Sequence, residues 1–302
     1  MAEKSPDGED RTNLHVLNAR RLGARDIVVA TQPGSGATLL GNIMLELNMD
    51  VLDPFGSVIG EDGSVQANEE ILAKRERISA VAKKERGLRS GSAVGRPEAR
   101  FFKNFLPPEY FAAETVLGAV VLVRDPRDAM YSKYRFLRDF GNWIPARDDI
   151  EEQGSFAEFL DGRGAGPEPL PIEGWTGFYR AWADGADRFE RFQVIRFEDL
   201  KADTFGTVLR LLDLFGVDIP KEEVADAVER SSFEAMRKHE DTHSAATDDA
   251  VNARIMRRGK VGEWQEWFGD PDLARRFQNA DLVETAARYG YRLPAASTAP
   301  RG

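Results

Sequence analysis

Short apolar runs alternate with longer stretches of helical spacing along this chain. Residues 26–31 (DIVVAT) and 116–123 are rich in β-branched residues and end in turn or charged residues, which is typical of buried strands. Shorter candidate strands lie at 100–105 and 193–197. Helical spacing is found in 38–49, 66–86, 129–137, 175–189, 201–215, 221–230, 233–238 and 272–289. This alternation predicts an α/β fold, a three-layer parallel β-sheet flanked by helices.

The remaining segments predict the domain organisation. A charged, polar start indicates a flexible N-terminal segment at 1–24, followed by a single domain at 25–292 and a flexible tail at 293–302. Long loops are expected in the Gly- and Ser-rich residues 87–97 and in the Gly- and Pro-rich residues 162–174. The polar stretch 240–252 is a candidate mobile lid.

Three unusual segments follow predicted strands. They begin after Thr31, at Arg124 and after Phe197. Ligands of open parallel sheets bind at the carboxyl ends of the strands. We therefore expect these three segments to lie together on one edge of the sheet.

The first of these segments, residues 31–39 (TQPGSGATL), is typical of a phosphate cradle. Its glycines let the backbone wrap around an anion, and the following helix presents N–H groups and a positive dipole end. Ser35 and Thr38 add hydroxyl donors. The loop is not a Walker A motif, because no lysine follows Gly36. Taken alone, a plain glycine-rich turn between strand and helix explains it equally well.

The second segment places Arg124 at a strand end and Ser132 on the helix that follows. The planar guanidinium of arginine suits bidentate phosphate binding, and the serine hydroxyl can donate to the same group. The alternative is that the Arg-Asp pairs at 124–125 and 127–128 are surface ion pairs that cap a helix.

A third candidate lies near the C-terminus, in residues 256–264 (MRRGKVGEW). It holds three cations and two glycines within an acidic chain, which suits a flexible loop that closes over a phosphate. The aromatic residues Trp264, Trp267 and Phe268 are expected to anchor it. A solvated basic loop beside a core aromatic cluster is the alternative.

Composition narrows the function classes. The 302 residues carry a net charge of −10, so neither nucleic acid nor an anionic membrane surface is expected as a partner. The chain has no cysteine, and His15, His239 and His243 form no ligand pattern, so no metal site is expected. It shows no signal peptide and no apolar run of membrane-spanning length, which favours a cytoplasmic protein. The oligomeric state, monomer or homodimer, stays open.

In this order, the segments resemble the motifs of the cytosolic-type sulfotransferase family, which transfers a sulfuryl group from 3′-phosphoadenosine 5′-phosphosulfate (PAPS). Residues 31–39 resemble the family loop T-Y-P-K-S-G-T-T-W. Residues 124–134 (RDPRDAMYSKY) match R-[ND]-P-[KR]-D-x-x-x-S-x-[YF] at every defined position, and residues 257–264 resemble R-K-G-x-x-G-[DE]-W. Weaker similarities lie at 194–200 (VIRFEDL) and 231–236 (SSFEAM).

The resemblance implies a P-loop-like fold, PAPS as donor substrate, 3′,5′-adenosine bisphosphate (PAP) as product, and no metal. It assigns the 5′-phosphosulfate to the loop formed by Pro33, Gly34, Ser35, Gly36, Ala37, Thr38 and Leu39. It assigns the 3′-phosphate to Arg124, Ser132, Arg257, Arg258 and Gly259. Phe197, Ser231 and Phe233 are implied to lie near the adenine or the phosphates.

The chain departs from the family pattern at two positions of chemical importance. The loop lysine that stabilises the leaving group in the family is Gly34 here, and the histidine base of the family segment K-T-H-L-P is Phe105. The lysine of that segment is retained as Lys103, which we expect to be the remaining cation on the sulfuryl oxygens. The alternative for Lys103 is an ordinary surface lysine at a strand end.

Three explanations fit the missing base. The acceptor needs none, because its nucleophile is an amine or an acidic phenol; or another residue supplies it; or the protein binds nucleotide without transferring sulfate. For the second explanation His243 is the leading candidate, and Asp241, His239 and Glu46 are the others.

These residues predict transfer of a sulfuryl group from PAPS to a hydroxyl or amine of a small, partly apolar acceptor. The acidic residues 148–152 would repel a sulfated or phosphorylated polymer. The alternatives are a non-catalytic PAP- or PAPS-binding homologue and a P-loop kinase, although the kinase needs a loop lysine and a Mg²⁺ site. Candidate acceptor-pocket residues, which core packing would also explain, are Phe102, Phe105, Tyr134, Phe140, Trp143 and Trp175.

Overall fold

The computed structural model describes residues 14–54, 56–69, 98–140, 154–162, 170–244 and 256–294, without the side chains of residues 139, 140, 243 and 244. Seven strands lie in this part of the chain: β1 (Asp26–Thr31), β2 (Asp50–Leu52), β3 (Ser57–Ile59), β4 (Val65–Ala67), β5 (Arg100–Asn104), β6 (Gly118–Val123) and β7 (Phe192–Arg196). Five of them form a parallel sheet of order β2-β5-β1-β6-β7, and β3 and β4 form an antiparallel pair.

The described helices cover both faces of this sheet. They are α1 (14–20), α2 (Ala37–Glu46), α3 (Pro126–Phe140), α4 (Phe156–Leu160), α5 (Pro171–Asp184), α6 (Phe197–Ala202), α7 (Thr204–Leu214), α8 (Lys221–Arg230), α9 (Phe233–Ser244), α10 (Pro271–Arg276) and α11 (Ala280–Arg288). Among them, none is long and apolar enough to cross a membrane. The three-layer parallel α/β architecture expected from the alternating pattern is confirmed.

Two apolar cores flank the sheet. Strands β1 and β6 are buried along their whole length, so their side chains serve both cores. One core gathers the aromatic residues of α3, α4 and α5, including Tyr179 and Trp182. The other is mainly aliphatic and packs α2, α7 and α8 against the opposite face. A strand that is buried on both faces of a sheet has a nearly continuous run of apolar residues. This explains why β1 and β6 are the clearest strands in the sequence.

Several predicted elements differ in the structure. The helix expected at 66–86 is wrong at its start, because Gln66 lies in β4 and pairs with Val58; the rest of it, and the loop at 87–97, lie mostly outside the described residues. The helix expected at 38–49 ends at Glu46, since Asn48 adopts a positive φ of 56° before β2. The last helix is two helices, because Asn279 caps a new one by accepting the N–H of Leu282.

The flexible segment expected at 1–24 is corrected over its second half. Residues 14–20 are helical, and Asn18 is buried. Its side-chain amide donates to the carbonyl of Ser57 at 2.7 Å, and its Oδ1 accepts the N–H of Ile59 at 2.9 Å. The polar composition of residues 1–24 therefore did not predict the helix at 14–20, which is held in place by polar contacts to β3.

The strand register brings the predicted segments to one edge of the sheet. Thr31 pairs with Leu122, and Val123 pairs with Arg196, so β1, β6 and β7 end side by side. On the other side of β1, Ala30 pairs with Asn104 and Leu52 pairs with Phe102. Because all five strands are parallel, the loop after β1, the Arg124 turn and the segment after β7 share this edge, as predicted.

Candidate functional site

The loop between β1 and α2 forms a cradle with an open helix end. Gly34 and Gly36 both adopt positive φ, at 89° and 101°. Helix α2 begins at Ala37 with Gly36 as its N-cap; among the described residues no side chain caps it, and its first turn holds no acidic residue. The N–H groups of this first turn and the positive dipole end are therefore available to an anion.

The two loop glycines are required by close contacts as well as by φ. A Cβ at Gly34 would lie 2.9 Å from the Cβ of Ser132 and 3.0 Å from the carbonyl oxygen of Ala129. A Cβ at Gly36 would lie 2.8 Å from the ring of Phe197. The structure thus brings Gly34 and Ser132 together, and Gly36 and Phe197 together, although each pair is far apart in sequence.

Tyr179 on α5 supports the loop from below, and sequence reasoning missed it. Its hydroxyl donates to the carbonyl of Leu122 at 2.7 Å, accepts the N–H of Gln32 at 3.2 Å and lies 3.1 Å from the Oγ of Ser35. Burial raises its pKa far above the ordinary value, so the hydroxyl stays protonated. Because the single hydroxyl proton of Tyr179 goes to the carbonyl of Leu122, the hydroxyl of Ser35 donates to Tyr179. The Ser35 hydroxyl therefore stabilises the loop.

Arg124 joins the loop of residues 31–39 to the basic loop of residues 256–264. It is 5% exposed, and it donates to the carbonyls of Gly34 at 3.0 Å and Lys260 at 2.7 Å. Its guanidinium lies 4.5 Å from the ring centre of Phe197. Its buried Nε has no hydrogen-bond partner within the described part of the chain. A buried cation with a spare donor beside an open helix end suits an anionic group.

Asp128, the acidic partner of Arg124, binds the backbone of the basic loop. Its carboxylate lies 3.4 Å from Arg124 and accepts the N–H groups of Gly262 at 2.8 Å and Trp264 at 2.7 Å. Burial raises the pKa of Asp128 above its ordinary value, more than Arg124 and the two N–H donors lower it. The R-D-P-R-D motif therefore also builds the site, a role the sequence did not reveal.

Arg127 provides the aromatic half of this anchor. Its guanidinium lies 3.5 Å from the ring centre of Trp264 and is paired with Asp125 at 2.6 Å. The ring centre of Phe268 lies 5.2 Å from the guanidinium, and this ring packs edge-on against Trp264 with 5.1 Å between the ring centres. Trp264 and Phe268 thus pack at the end of the basic loop as expected, and the planar cation of Arg127 against Trp264 is an addition to that expectation.

The segment after β7 supports the Arg124 turn. Glu198 accepts the backbone N–H of Asp125 at 3.2 Å and the hydroxyl of Tyr291 at 2.6 Å. The same hydroxyl oxygen lies 3.3 Å from the carbonyl oxygen of Val123. This explains chemically why an acidic residue follows Phe197 at a strand end that otherwise faces an anion site.

The cations of the basic loop are paired with carboxylates. Arg257 donates to Glu263 at 2.6 Å, Arg258 lies 2.7 Å from Glu266, and Lys260 lies 2.6 Å from the same Glu266. Arg257 is half-buried, whereas Arg258 and Lys260 are exposed. An anion that bound here would have to replace these carboxylate contacts, so its affinity would reflect the difference between two sets of ion pairs.

Residues assigned to the adenine side meet the basic loop. Gly259 has a positive φ of 56°, and a Cβ there would lie 2.7 Å from the ring of Phe233. Ser231 is fully buried, and its Oγ accepts the side-chain amide of Asn42 at 2.8 Å. An open groove of about 520 Å³ runs from Phe233 along α9. Phe233 and Gly259 are therefore neighbours, while the hydroxyl of Ser231 is engaged inside the protein.

The end of β5 carries the expected catalytic lysine. The Nζ of Lys103 lies 3.7 Å from Asp53, which follows β2, and 5.2 Å from the ring centre of Phe105. The ring of His15, from α1, lies 6.0 Å from that of Phe105. Sequence reasoning passed over His15, because nothing in the chain order relates residue 15 to residue 105.

The other candidate bases are dispersed. Glu46 pairs with Arg230 at 2.8 Å, Asp241 lies 3.9 Å from Arg237, and His239 is exposed on α9. The side chain of His243 lies outside the described residues.

Three of the six aromatic residues expected in the acceptor pocket are core residues, and Phe105 is half-buried. Phe102, Tyr134 and Trp175 are buried in the aromatic core, whereas Trp143 and the side chain of Phe140 lie outside the described residues. Within the described residues, no cluster of three acidic or histidine side chains is placed to hold a metal ion.

The chain is similar to known proteins along most of its length. A family model described as the sulfotransferase domain matches residues 24–282. Mouse sulfotransferase 2A1 is 27% identical over 181 residues, which cover 58% of this chain and 60% of that protein. Human sulfotransferase 1E1 is 27% identical over 268 residues, which cover 85% and 81%. The matched region thus spans about 60% of the length of the 2A-type relatives.

Solved structures show the same fold. Retinol dehydratase in complex with androsterone and the inactive cofactor PAP superposes with a TM-score of 0.60 at 20% identity, over 95% of this chain and 87% of that one. Mouse sulfotransferase SULT7A1 complexed with PAP gives a TM-score of 0.54 at 17% identity, over 94% of both chains. With the family model matching most of its length, this chain belongs to the sulfotransferase domain family.

Proposed function

We propose that this protein transfers a sulfuryl group from PAPS to a hydroxyl or amine of a small, partly apolar acceptor and releases PAP. The observation that carries this proposal is the position of Arg124, which donates to both the Gly34 and Lys260 carbonyls. It joins the glycine cradle and the basic loop into one anion site. Family membership and the PAP bound by two solved relatives support the choice of nucleotide.

The cradle suits the 5′-phosphosulfate. The first-turn N–H groups of α2 come from Ala37, Thr38 and Leu39, and they have no competing cap in the described structure. Gly34 and Gly36 keep the backbone free of side chains that would fill the cradle. The dipole end favours negative charge by up to about 1 kcal/mol when it is exposed and by more when it is partly buried.

The 3′-phosphate fits the cluster of Arg124, Ser132, Arg257, Arg258 and Gly259. Ser132 lies against Gly34, so it is at the border of the two phosphate sites. Arg124 supplies a donor with no partner among the described residues, and Arg257 and Arg258 exchange Glu263 and Glu266 for the phosphate. Binding there neutralises a group that the acidic chain as a whole would repel.

The proposed reaction is an in-line displacement at sulfur. An acceptor lone pair forms the new bond to sulfur, and the electrons of the breaking sulfur–oxygen bond stay on the 5′-phosphate of PAP. Lys103 is the proposed cation on the sulfuryl oxygens. A preorganised donor at developing charge contributes roughly 3 kcal/mol to such a step. Its contact with Asp53 at 3.7 Å is long enough to be exchanged.

Turnover with PAPS tests the proposal. Wild-type protein mixed with PAPS and separate panels of phenols, alcohols and amines should release PAP with at least one acceptor. Lys103→Ala should reduce kcat by about 10²-fold while PAP affinity stays within about twofold. Lys221→Ala, at an exposed position of α8, is the matched control and should leave both quantities unchanged. Normal turnover by Lys103→Ala would exclude its proposed role.

A second candidate function is nucleotide binding without transfer. The observation that favours it is the crowding at Gly34. This residue has a positive φ, and a Cβ there would lie 2.9 Å from the Cβ of Ser132, so the family's loop lysine does not fit at this position. The result expected for this function is tight PAP binding, measured by calorimetry, with no PAP release from PAPS. Stabilisation by ATP with Mg²⁺ in preference to PAP in a thermal-shift experiment would instead support a kinase. A cytoplasmic location, and a monomer or homodimer, stay predictions of the sequence.

A further inference from the structure

His15 lies beside Phe105, the position at which the family pattern has its histidine base and this chain has none. It belongs to α1, far from β5 in sequence, but its ring lies 6.0 Å from the rings of both Phe102 and Phe105. Its Nε2 accepts the backbone N–H of Phe105 at 3.5 Å. The imidazole is 5% exposed. An imidazole nitrogen thus faces residue 105, although the side chain of that residue carries no proton acceptor.

Two charged groups face this imidazole from neighbouring elements. Asp53 follows β2, whose last residue pairs with Phe102, and Lys103 is the penultimate residue of β5. Burial lowers the pKa of His15 to about 4, Asp53 opposes this shift, and Lys103 adds to it. His15 is therefore neutral at physiological pH, the state in which an imidazole accepts a proton. The nearby carboxylate stabilises the imidazolium that forms.

The hydrogen-bond pattern selects the nitrogen. Because Nε2 accepts the N–H of Phe105, this nitrogen carries the lone pair and Nδ1 carries the proton. A donor distance of 3.5 Å is at the outer limit of a hydrogen bond. An acceptor hydroxyl can therefore displace this weak contact and form a shorter one.

We propose that Nε2 of His15 takes the proton from the acceptor hydroxyl, in place of the base that residue 105 does not provide. This inference rests on the proposed sulfuryl transfer. The acceptor oxygen forms its bond to sulfur, the bond from sulfur to the 5′-phosphate oxygen breaks, and the O–H proton moves to Nε2. The electron pair of the broken bond stays on PAP. His15, from α1, then acts on the proton, and Lys103, near the end of β5, acts on the sulfuryl oxygens.

The test compares two acceptors in the same His15→Gln variant. With a primary alcohol as acceptor, kcat should fall by about 10²-fold or more, the usual contribution of a general base. With 4-nitrophenol, whose hydroxyl ionises readily, the fall should stay below about fivefold, because an ionised nucleophile needs no base. The ratio of the two losses does not depend on the folded fraction, so partial misfolding cannot produce the expected result.

Equal losses with both acceptors, or no loss with either, would overturn the role of His15. A wild-type protein that binds PAP but releases none from PAPS with any acceptor would overturn the proposed function, and the His15 inference with it. Parallel measurements on His239→Gln test the competing histidine: a selective loss with the alcohol in that variant alone would assign the base to α9 instead.

Nitrogen-15 NMR gives a readout that does not need turnover. The chain has only three histidines, so the signals of His15 are identified by their absence in His15→Gln. At neutral pH its Nε2 should be unprotonated and its Nδ1 protonated. The opposite tautomer, or a cationic ring at neutral pH, would contradict the inference.

Discussion

Gly34 is the position where the structure makes its sharpest quantitative prediction. Any side chain there must adopt φ near 89°, which costs roughly 1–2 kcal/mol for an L-residue. Its Cβ would also lie 2.9 Å from Ser132 and 3.0 Å from the Ala129 carbonyl, inside normal contact distance. Relief of such overpacking typically costs about 1–3 kcal/mol. We therefore expect Gly34→Ala to lose about 2–5 kcal/mol of unfolding free energy.

Urea denaturation measures this loss, and the chain offers a matched control. Gly177 lies exposed on α5, and a Cβ there meets no described atom within 4 Å. Gly177→Ala should therefore keep or gain up to about 1 kcal/mol, because alanine is the better helix former. If Gly34→Ala is as stable as Gly177→Ala, the argument from φ and contact is wrong.

A double variant separates the two causes. Ser132→Gly removes the Cβ and Oγ that Gly34→Ala would touch and leaves the Ala129 carbonyl. If the contact matters, the double variant should be more stable than the sum of the single losses by at least about 0.5 kcal/mol. A coupling of zero would assign the effect to φ and to the contact with the Ala129 carbonyl, which the double variant keeps.

The same geometry bears on the lysine that the family carries in this loop. Gly34→Lys should not increase turnover, because the loop must move away from α3 to hold the new side chain. PAP affinity should fall in parallel with stability. A gain in kcat would show that the loop rearranges readily and that the absent lysine alone limits this protein.

Three further predictions concern the residues that hold the site. Tyr179→Phe removes the hydroxyl shared by Leu122, Gln32 and Ser35, so urea denaturation should show a loss of about 1–3 kcal/mol, and calorimetry should show weaker PAP binding; unchanged values for both would contradict the supporting role. Asp128→Asn keeps only one acceptor oxygen for the N–H groups of Gly262 and Trp264, so hydrogen exchange of residues 257–264 should accelerate and PAP affinity should fall about tenfold, whereas the exposed Asp213→Asn should change neither. Folding lowers the pKa of His15 from 6.5 to about 4, so the neutral imidazole contributes stability above pH 6.5 that is lost as the pH falls towards 4. The loss of unfolding free energy should be about 3 kcal/mol. Denaturation curves recorded across this pH range should show this loss in the wild type and not in His15→Gln.

Arg124 and Asp128 connect the cradle between β1 and α2 to the basic loop of residues 256–264. Arg124 holds the carbonyls of Gly34 and Lys260, and Asp128 holds the N–H groups of Gly262 and Trp264. A charged pair on one turn therefore fixes both the cradle and the basic loop. Loss of either partner leaves the other charge buried without compensation, which is costly. We expect the two proposed phosphate sites to weaken together in such variants.

The sequence by itself determined the fold class and the edge of the sheet that carries the site. β1 and β6 are buried on both faces, so their apolar runs are continuous and easy to recognise. The spacing of glycine and arginine around them places the phosphate loop and the Arg124 turn. Apolar spacing does not predict where the helices end. The backbone angle of Asn48 separates α2 from β2, and the side chain of Asn279 caps the start of α11, and neither effect depends on apolar spacing.

Only the tertiary structure decided which distant residues complete the site. Tyr179 reaches the loop across more than 140 positions, and His15 reaches Phe105 across 90. Such contacts depend on how helices pack over the sheet, and they leave no periodic signal in the chain. The crowding of Gly34 by Ser132 is of the same kind: the sequence shows that a lysine is missing, and packing shows the physical reason why a side chain does not fit there.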